Sequence, residues 1–199
     1  KDLGGIAPGK FADILVFDYL TTMKPNKVFV GGQLIASNGT ILVKPKSKSI
    51  PKWIKKTVKL EKFSEENFYI KSKDSSVNAN LISMQTEIIT KKEEEELRTR
   101  EGNVLASPEK DIWKVAAFDR IYGTKKHALG FLKNFGAQIG AFASTWSFHE
   151  NDMIVIGSNE RDMAIAVNNL VKTQGGMIIV KNDRILAFMP LQIAGIIST

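Results

Sequence analysis

From Ala12 to Val43 the apolar positions fall in short runs separated by turn chemistry, which predicts a small antiparallel meander. Its strands lie near Ala12 to Phe17, Lys27 to Val30, Gln33 to Ser37 and Thr40 to Val43. Pro8-Gly9 suits a type II turn, while Gly31-Gly32 and Asn38-Gly39 suit two-residue hairpin loops that need positive φ. Strands this short bury little apolar area, so the meander is expected to lean on a larger partner.

From Thr57 the pattern changes to strands mixed with helix. Thr57 to Leu60, Asn80 to Thr90 and Lys114 to Arg120 read as strands. In the last of these, Val115, Ala117 and Asp119 share one face and Lys114, Ala116 and Phe118 the other. His127 to Asn134 reads as a short helix or an irregular turn. A small-residue run, Gly136 to Ser144, leads into a polar loop, Thr145 to Asp152, and then a strand, Met153 to Ile156. A helix follows: Ser158 and Asn159 can cap it, Asp162 sits in its first turn, and Met163, Ala166, Val167 and Leu170 form one apolar face. Gln174, Gly175 and Gly176 stop it. Met177 to Lys181 and Arg184 to Phe188 then read as a hairpin turning at Asn182-Asp183. Pro190 is expected to break the second strand before an apolar tail, Leu191 to Ile197.

Composition narrows the chemistry. The 199 residues contain no Cys and two His, which excludes disulfides, thiolate zinc sites and thiol nucleophiles, and leaves too few imidazoles for a clustered metal site. No Asp or Glu cluster at ligand spacing appears. The longest apolar runs fall far short of the roughly 20 residues needed to span a bilayer, and no signal peptide is evident, so no membrane association and a cytoplasmic location are expected. The chain opens on Lys1 rather than Met, which suggests a start within a longer polypeptide. The formal net charge of +7 is concentrated between Lys44 and Lys62, where eight lysines face only Glu61. That stretch holds Pro45 and Pro51 and no Arg, and reads as a solvated linker. Its rival reading is a surface for an anionic partner such as nucleic acid, as in a stand-alone, non-catalytic binding module. Glu93 to Glu96, after Lys91 and Lys92, reads as a solvated helix face or loop.

Few motifs carry chemistry. Gly4-Gly5 and Gly175-Gly176 lack the strand and helix context of a phosphate loop and read as turn glycines. Ser147, His149 and Glu150 lie too close in sequence to face one another as a hydrolase triad. His149 beside Glu150 can serve as a general acid or a substrate contact at a loop tip, and these two are the candidate site residues. His127 reads as a surface residue.

Two sets of segments resemble a known family. Leu3 to Val16, with Pro8-Gly9-Lys10-Phe11-Ala12-Asp13, and Val28 to Ile35, with Val30-Gly31-Gly32, are similar to the strand pair that closes members of the amidohydrolase superfamily after their catalytic barrel. Lys114 to Arg120, Gly136 to Ser144, Ile154-Val155-Ile156-Gly157, Asp162 to Asn168, Gly175-Gly176-Met177 and Leu191 to Gly195 resemble the C-terminal domain of microbial adenine deaminases. The resemblance implies an α+β fold, an antiparallel or mixed β-sheet flanked by helices, preceded by part of a small β-sandwich domain. Residues 1–45 would end that β-domain, 46–62 would be a lysine-rich linker, and 63–199 would form the C-terminal domain. It further implies hydrolysis of adenine to hypoxanthine and ammonia in purine salvage, and a divalent metal (manganese, iron or zinc) held by an N-terminal barrel that this chain lacks. No cofactor or metal is expected on the chain itself. Its expected partners are that barrel, further copies in a homo-oligomer, and adenine or a related base as substrate of the whole protein. Where the family carries a His-Asp-Ser-His-Asn loop, this chain has Phe148-His149-Glu150-Asn151-Asp152, so His149 and Glu150 would restore polar function one position out of register.

Overall fold

A computed structural model describes residues 2–44, 49–124, 126–147 and 151–198. The chain divides into two compact units, Lys1–Ser49 and Ile50–Thr199. In the first, β1 (Ile14–Val16), β2 (Lys27–Val30), β3 (Gln33–Ser37) and β4 (Thr40–Ile41) form an antiparallel sheet in sequence order. Both loop positions of Gly31-Gly32 and of Asn38-Gly39 take positive φ, as the turn chemistry predicts.

The second unit is dominated by one mixed sheet. It is built from β5 (Ser76–Met84), β6 (Thr90–Arg100), β7 (Asn103–Val104), β8 (Ile112–Phe118), β9 (His127–Lys133), β10 (Ala141–Ser144), β11 (Met153–Gly157), β12 (Gly176–Lys181) and β13 (Arg184–Pro190). Their order across the sheet is β13-β12-β10-β11-β8-β9-β5-β6-β7. Every pairing is antiparallel except β5 with β9, where Leu81 to Ser83 run parallel to Phe131 to Lys133. The fold is therefore α+β, as the resemblance implies. In place of several flanking helices it has one α-helix among the described residues, α1 (Glu160–Thr173), with three short 3-10 turns.

The core lies between α1 and one face of the sheet. Met163, Ala166, Val167 and Leu170 of the helix are 0% exposed and meet Ala116, Phe118, Ala141, Ala143, Val155, Ile178 and Val180. Small residues on β10 let the helix approach closely. At Gly140 a Cβ would fall 1.7 Å from Asp162 Oδ2, so only glycine fits beside that carboxylate. The helix begins where Asn159 Oδ1 accepts from Asp162 N at 2.8 Å and ends at Gln174, which is left-handed at φ 61°. Phe131 and Leu132, adjacent on β9, are buried on opposite faces: Phe131 meets Leu81, Leu97 and Ile112, and Leu132 meets Trp113 and Ile156.

Several expectations are corrected. Asn80 to Thr90 is not one strand, because β5 ends at Met84 and a turn intervenes before β6. Thr86 Oγ1 closes that turn by accepting from Ile88 N and Ile89 N at 3.3 and 3.1 Å. Glu93 to Glu96 is strand rather than helix or loop, since β6 is half-exposed and its carboxylates answer across the ladder, with Asn78 Nδ2 donating to Glu94 at 2.9 Å and Ser76 Oγ to Glu96 at 2.6 Å. His127 to Lys133 is strand because β8 and β5 pair with it on either side. Thr57 to Leu60 forms no strand, although Lys59 N donates to Arg120 O at 2.7 Å. The expected break at Pro190 holds: β13 runs two residues past Phe188 and ends at Pro190, the last residue of an edge strand opposite Gly176, where its missing N–H costs no ladder bond.

Candidate functional site

Arg120 follows β8 in phase with Lys114, Ala116 and Phe118, so the strand's alternation carries its side chain into the buried side, where it is 1% exposed. Its Nε donates to Thr145 O at 3.1 Å and to Asn151 O at 2.6 Å. Its Nη1 donates to Thr57 Oγ1 at 3.3 Å and to Ala194 O at 3.2 Å. One guanidinium thus joins Thr57 in the lysine-rich stretch, both sides of the loop between β10 and β11, and the C-terminal tail. Burial pulls its pKa below the ordinary arginine value, and Asp152 pushes it back. It remains charged at neutral pH.

The loop base has further ties. Ser147 Oγ donates to Asp152 O at 3.0 Å, and Ser144 Oγ donates to Trp146 O at 2.7 Å while accepting from Trp146 N at 3.0 Å. Thr145, wholly buried, donates from Oγ1 to Gly195 O at 2.5 Å and accepts from Gly176 N at 2.9 Å. The tail lies so close that a Cβ at Gly175, already at φ +127°, would meet Gly195 Cα at 2.6 Å.

Two other buried polar clusters brace the same sheet. Lys114 Nζ lies 2.6 Å from Glu160 Oε1 and donates to Asn103 Oδ1 at 2.6 Å and to Phe68 O at 3.1 Å. Burial draws the lysine down from its ordinary pKa despite the pull of Glu160. Burial pushes Glu160 up, but hydrogen bonds from Lys114 and Asn103 outweigh it and hold the carboxyl below its ordinary value. At the other end, the buried Asp162 carboxylate accepts from Asn182 N at 3.1 Å and Asp183 N at 2.9 Å, fixing the β12–β13 turn.

His149 and Glu150, the sequence-derived candidates, lie outside the described residues, as does Phe148. His127 is exposed, and its ring stacks on Phe118 at 5.9 Å and 28°. Sequence reasoning missed Arg120 and Lys114. Its available clue was their phase: charged residues in register with Ala116 and Phe118 on a face otherwise destined for the core. Among the described residues no group of three or more His, Asp or Glu side chains gathers as a metal ligand set, and no helix is long and apolar enough to cross a membrane.

Residues 87–199, which include the Arg120 clamp and the loop it holds, match the family described as the adenine deaminase C-terminal domain. Over 199 residues the chain is 45% identical to the adenine deaminase of Cenarchaeum symbiosum strain A, covering 100% of this chain and 33% of that protein. It is 34% identical over 200 residues to the adenine deaminase of Clostridium botulinum strain Loch Maree, covering 99% of this chain and 33% of that protein. The adenine deaminase of Moorella thermoacetica is also 34% identical, over 202 residues, with 100% of this chain and 34% of that protein covered. The chain spans about a third of the length of the curated relatives it matches. With more than half of its residues matching the family, the chain belongs to the adenine deaminase C-terminal domain family.

Proposed function

We infer that this chain is the C-terminal part of an adenine deaminase-like, metal-dependent amidohydrolase that converts adenine and water to hypoxanthine and ammonia in cytoplasmic purine salvage. The observation that carries the reading is the match of residues 87–199 to the adenine deaminase C-terminal domain family, and the Arg120 bonds to Thr145 O and Asn151 O support it by tying the chain on either side of the segment that contains His149 and Glu150. In the full-length protein the loop tip would border the mouth of a catalytic barrel, where His149 would move a proton or contact the base and Glu150 would raise its basicity. The divalent metal, manganese, iron or zinc, would supply the attacking hydroxide. In this reading the chain's own part is to hold and orient the loop. The four-stranded unit would be the end of the barrel's companion β-domain. The mixed sheet would shape the active-site mouth or contact further copies in a homo-oligomer.

The test is adenine deamination by the full-length, metal-loaded protein, followed by the loss of adenine absorbance. His149→Ala/Glu150→Ala should lower turnover or change the preference among purine bases while leaving the thermal midpoint unchanged. Unchanged turnover and preference would sink the role given to the loop, and absence of adenine turnover in the unaltered protein would sink the substrate.

A further inference from the structure

We propose that the cavity between residues 59–63 and the facing ends of β8 and β9 binds a nucleoside monophosphate, with the base on an aromatic floor and the phosphate at a lysine rim. The cavity holds about 260 Å³ and is lined by the rings Phe63, Phe118 and His127 and by Lys59, Lys62 and Lys126. It goes beyond the deaminase reading and does not rest on it.

The floor is rigid. Phe118 is 3% exposed and offers no open face of its own; it backs the two rings that border the cavity, meeting Phe63 edge to face at 4.6 Å and 72° and His127 in a stack at 5.9 Å, so Phe63 and His127 are the surfaces left for a base. Phe63 is strapped to α1 by a two-way pair of bonds, with Phe63 N donating to Asn168 Oδ1 and Asn168 Nδ2 donating to Phe63 O, each at 2.8 Å. Lys59 is pinned one strand-end away by its N–H to Arg120 O at 2.7 Å. A preset aromatic surface spends little ordering entropy on a planar ligand.

The rim sets the charge. Lys59, Lys62 and Lys126 are all exposed and come from two segments more than sixty residues apart, yet they line one cavity in which Glu61 is the acid among the described lining residues. Lysines bind phosphate as mobile point charges, and no arginine fork is needed. Asn67 also lines the cavity; its Oδ1 already accepts from Ser64 N at 2.7 Å and Ser64 Oγ at 3.2 Å, so its amide NH2 is what it offers, a donor suited to a base ring nitrogen or a phosphate oxygen. The volume lies just under the roughly 300 Å³ at which sites begin to enclose a drug-sized ligand, which suits a base inside and a phosphate at the edge. A single strand of nucleic acid needs successive stacking platforms along a basic groove, whereas this cavity has one.

The probe is adenosine 5′-monophosphate, titrated by calorimetry into the full chain, with adenosine and inorganic phosphate in separate runs. The monophosphate should bind more tightly than either part. Lys59→Gln/Lys62→Gln/Lys126→Gln, at exposed positions that leave the fold intact, should weaken it about tenfold or more and bring it to the affinity of adenosine. Phe63→Leu, which keeps an apolar side chain under α1, should weaken the monophosphate and adenosine alike. The proposal is overturned if the monophosphate does not bind at millimolar concentration, if the triple variant binds it unchanged, or if inorganic phosphate binds as tightly. It is also overturned if a short oligonucleotide binds far more tightly than the mononucleotide, which would make the surface a nucleic-acid groove.

Discussion

Replacing Lys114 with Met should cost the second unit about 3 to 5 kcal/mol, because it breaks a buried pair by removing one member. The ammonium is 2% exposed and is held by Glu160 and Asn103, each at 2.6 Å, and by the Phe68 carbonyl at 3.1 Å. Without it the Glu160 carboxylate, whose side chain is 15% exposed, keeps Asn103 Nδ2 at 2.7 Å and its own backbone N–H, and the Phe68 carbonyl loses a donor. Lys114→Met/Glu160→Met removes both charges and should return to within about 2 kcal/mol of the parent, since an apolar pair of similar volume avoids the stranded charge. Urea unfolding followed by tryptophan fluorescence reads this unit alone, because Trp53, Trp113 and Trp146 all lie within Ile50–Thr199. The pH dependence has a definite sign. Glu160 is held below its ordinary 4.5, so the folded state binds fewer protons in acid; its contribution is fully present above 4.5 and is lost as pH falls through the lower folded value. Lys114, drawn below its ordinary 10.5, has the same sign at the alkaline end: the folded state again binds fewer protons, and stability gains as pH rises toward 10.5. In Lys114→Met the acid slope should flatten, since burial still raises Glu160 while the lysine that lowers it is gone. A single variant within 1 kcal/mol of the parent on that order, or a double variant less stable than the single, would refute the reasoning.

Three further outcomes follow from the same geometry. Gly140→Ala would place a Cβ 1.7 Å from Asp162 Oδ2 and 2.9 Å from Val180 O, and should cost about 3 kcal/mol or more in the same unfolding assay; an unchanged midpoint would mean that the helix and β10 do not approach as described. Asp119, held chiefly by the Thr124 hydroxyl and then by backbone N–H groups of Tyr122, Thr124 and Ile121, should titrate at about 2 by carboxyl NMR, so its contribution persists to below 3.8 and fades only toward the folded value; a midpoint at 3.8 would remove the capped turn. Arg120→Met should speed amide exchange both at the base of the 145–152 loop and in the 191–197 tail, at a cost of about 2 to 4 kcal/mol, and faster exchange in only one of them would show that the clamp is not shared.

The sequence was most legible where structure is decided locally. Helix α1 could be read from end to end, because its cap at Asn159, its stop at Gln174 and Gly175, and its stripe of Met163, Val167 and Leu170 all lie within one stretch of chain. The hairpin loops of the four-stranded unit were readable for the same reason. The turn between β5 and β6 was not, because Gln85 to Ile89 contains no Gly, Pro or Asn, and Ile88, 90% exposed, looks like a core residue. Strand β9 was hidden by a sequence, His-Ala-Leu-Gly-Phe-Leu-Lys, that suits a helix as well as a strand; only its two neighbours decide, and one of them, β5, pairs in parallel from a distant part of the chain. The candidate site was less legible than the fold. Its loop stood out by composition, but the residue that anchors it did not, since an arginine at a strand end reads as solvent-facing unless its phase with Phe118 is followed one step further.

The buried polar side chains explain why this sheet adopts one arrangement. Its central strands present mostly small or β-branched apolar residues to α1, such as Ala116, Ala141, Ala143 and Val155, and a surface of that kind tolerates a shift of the helix along it with modest loss of area. The polar clusters do not tolerate it. Lys114 must find Glu160 at the first turn of α1, Asp162 must meet the N–H groups of Asn182 and Asp183, and Arg120 must reach Thr145, Asn151 and Ala194 at the same time. Displacement by one residue would leave at least one of these charges buried without partners, at a cost of several kcal/mol. Register is therefore set by charges whose hydrogen bonds join chain segments far apart in sequence. The consequence reaches the base of the loop: because Arg120 is fixed by the same register that seats α1, the positions of Thr145 and Asn151 are coupled to the packing of the helix, and a core substitution under α1 should disturb them without touching them.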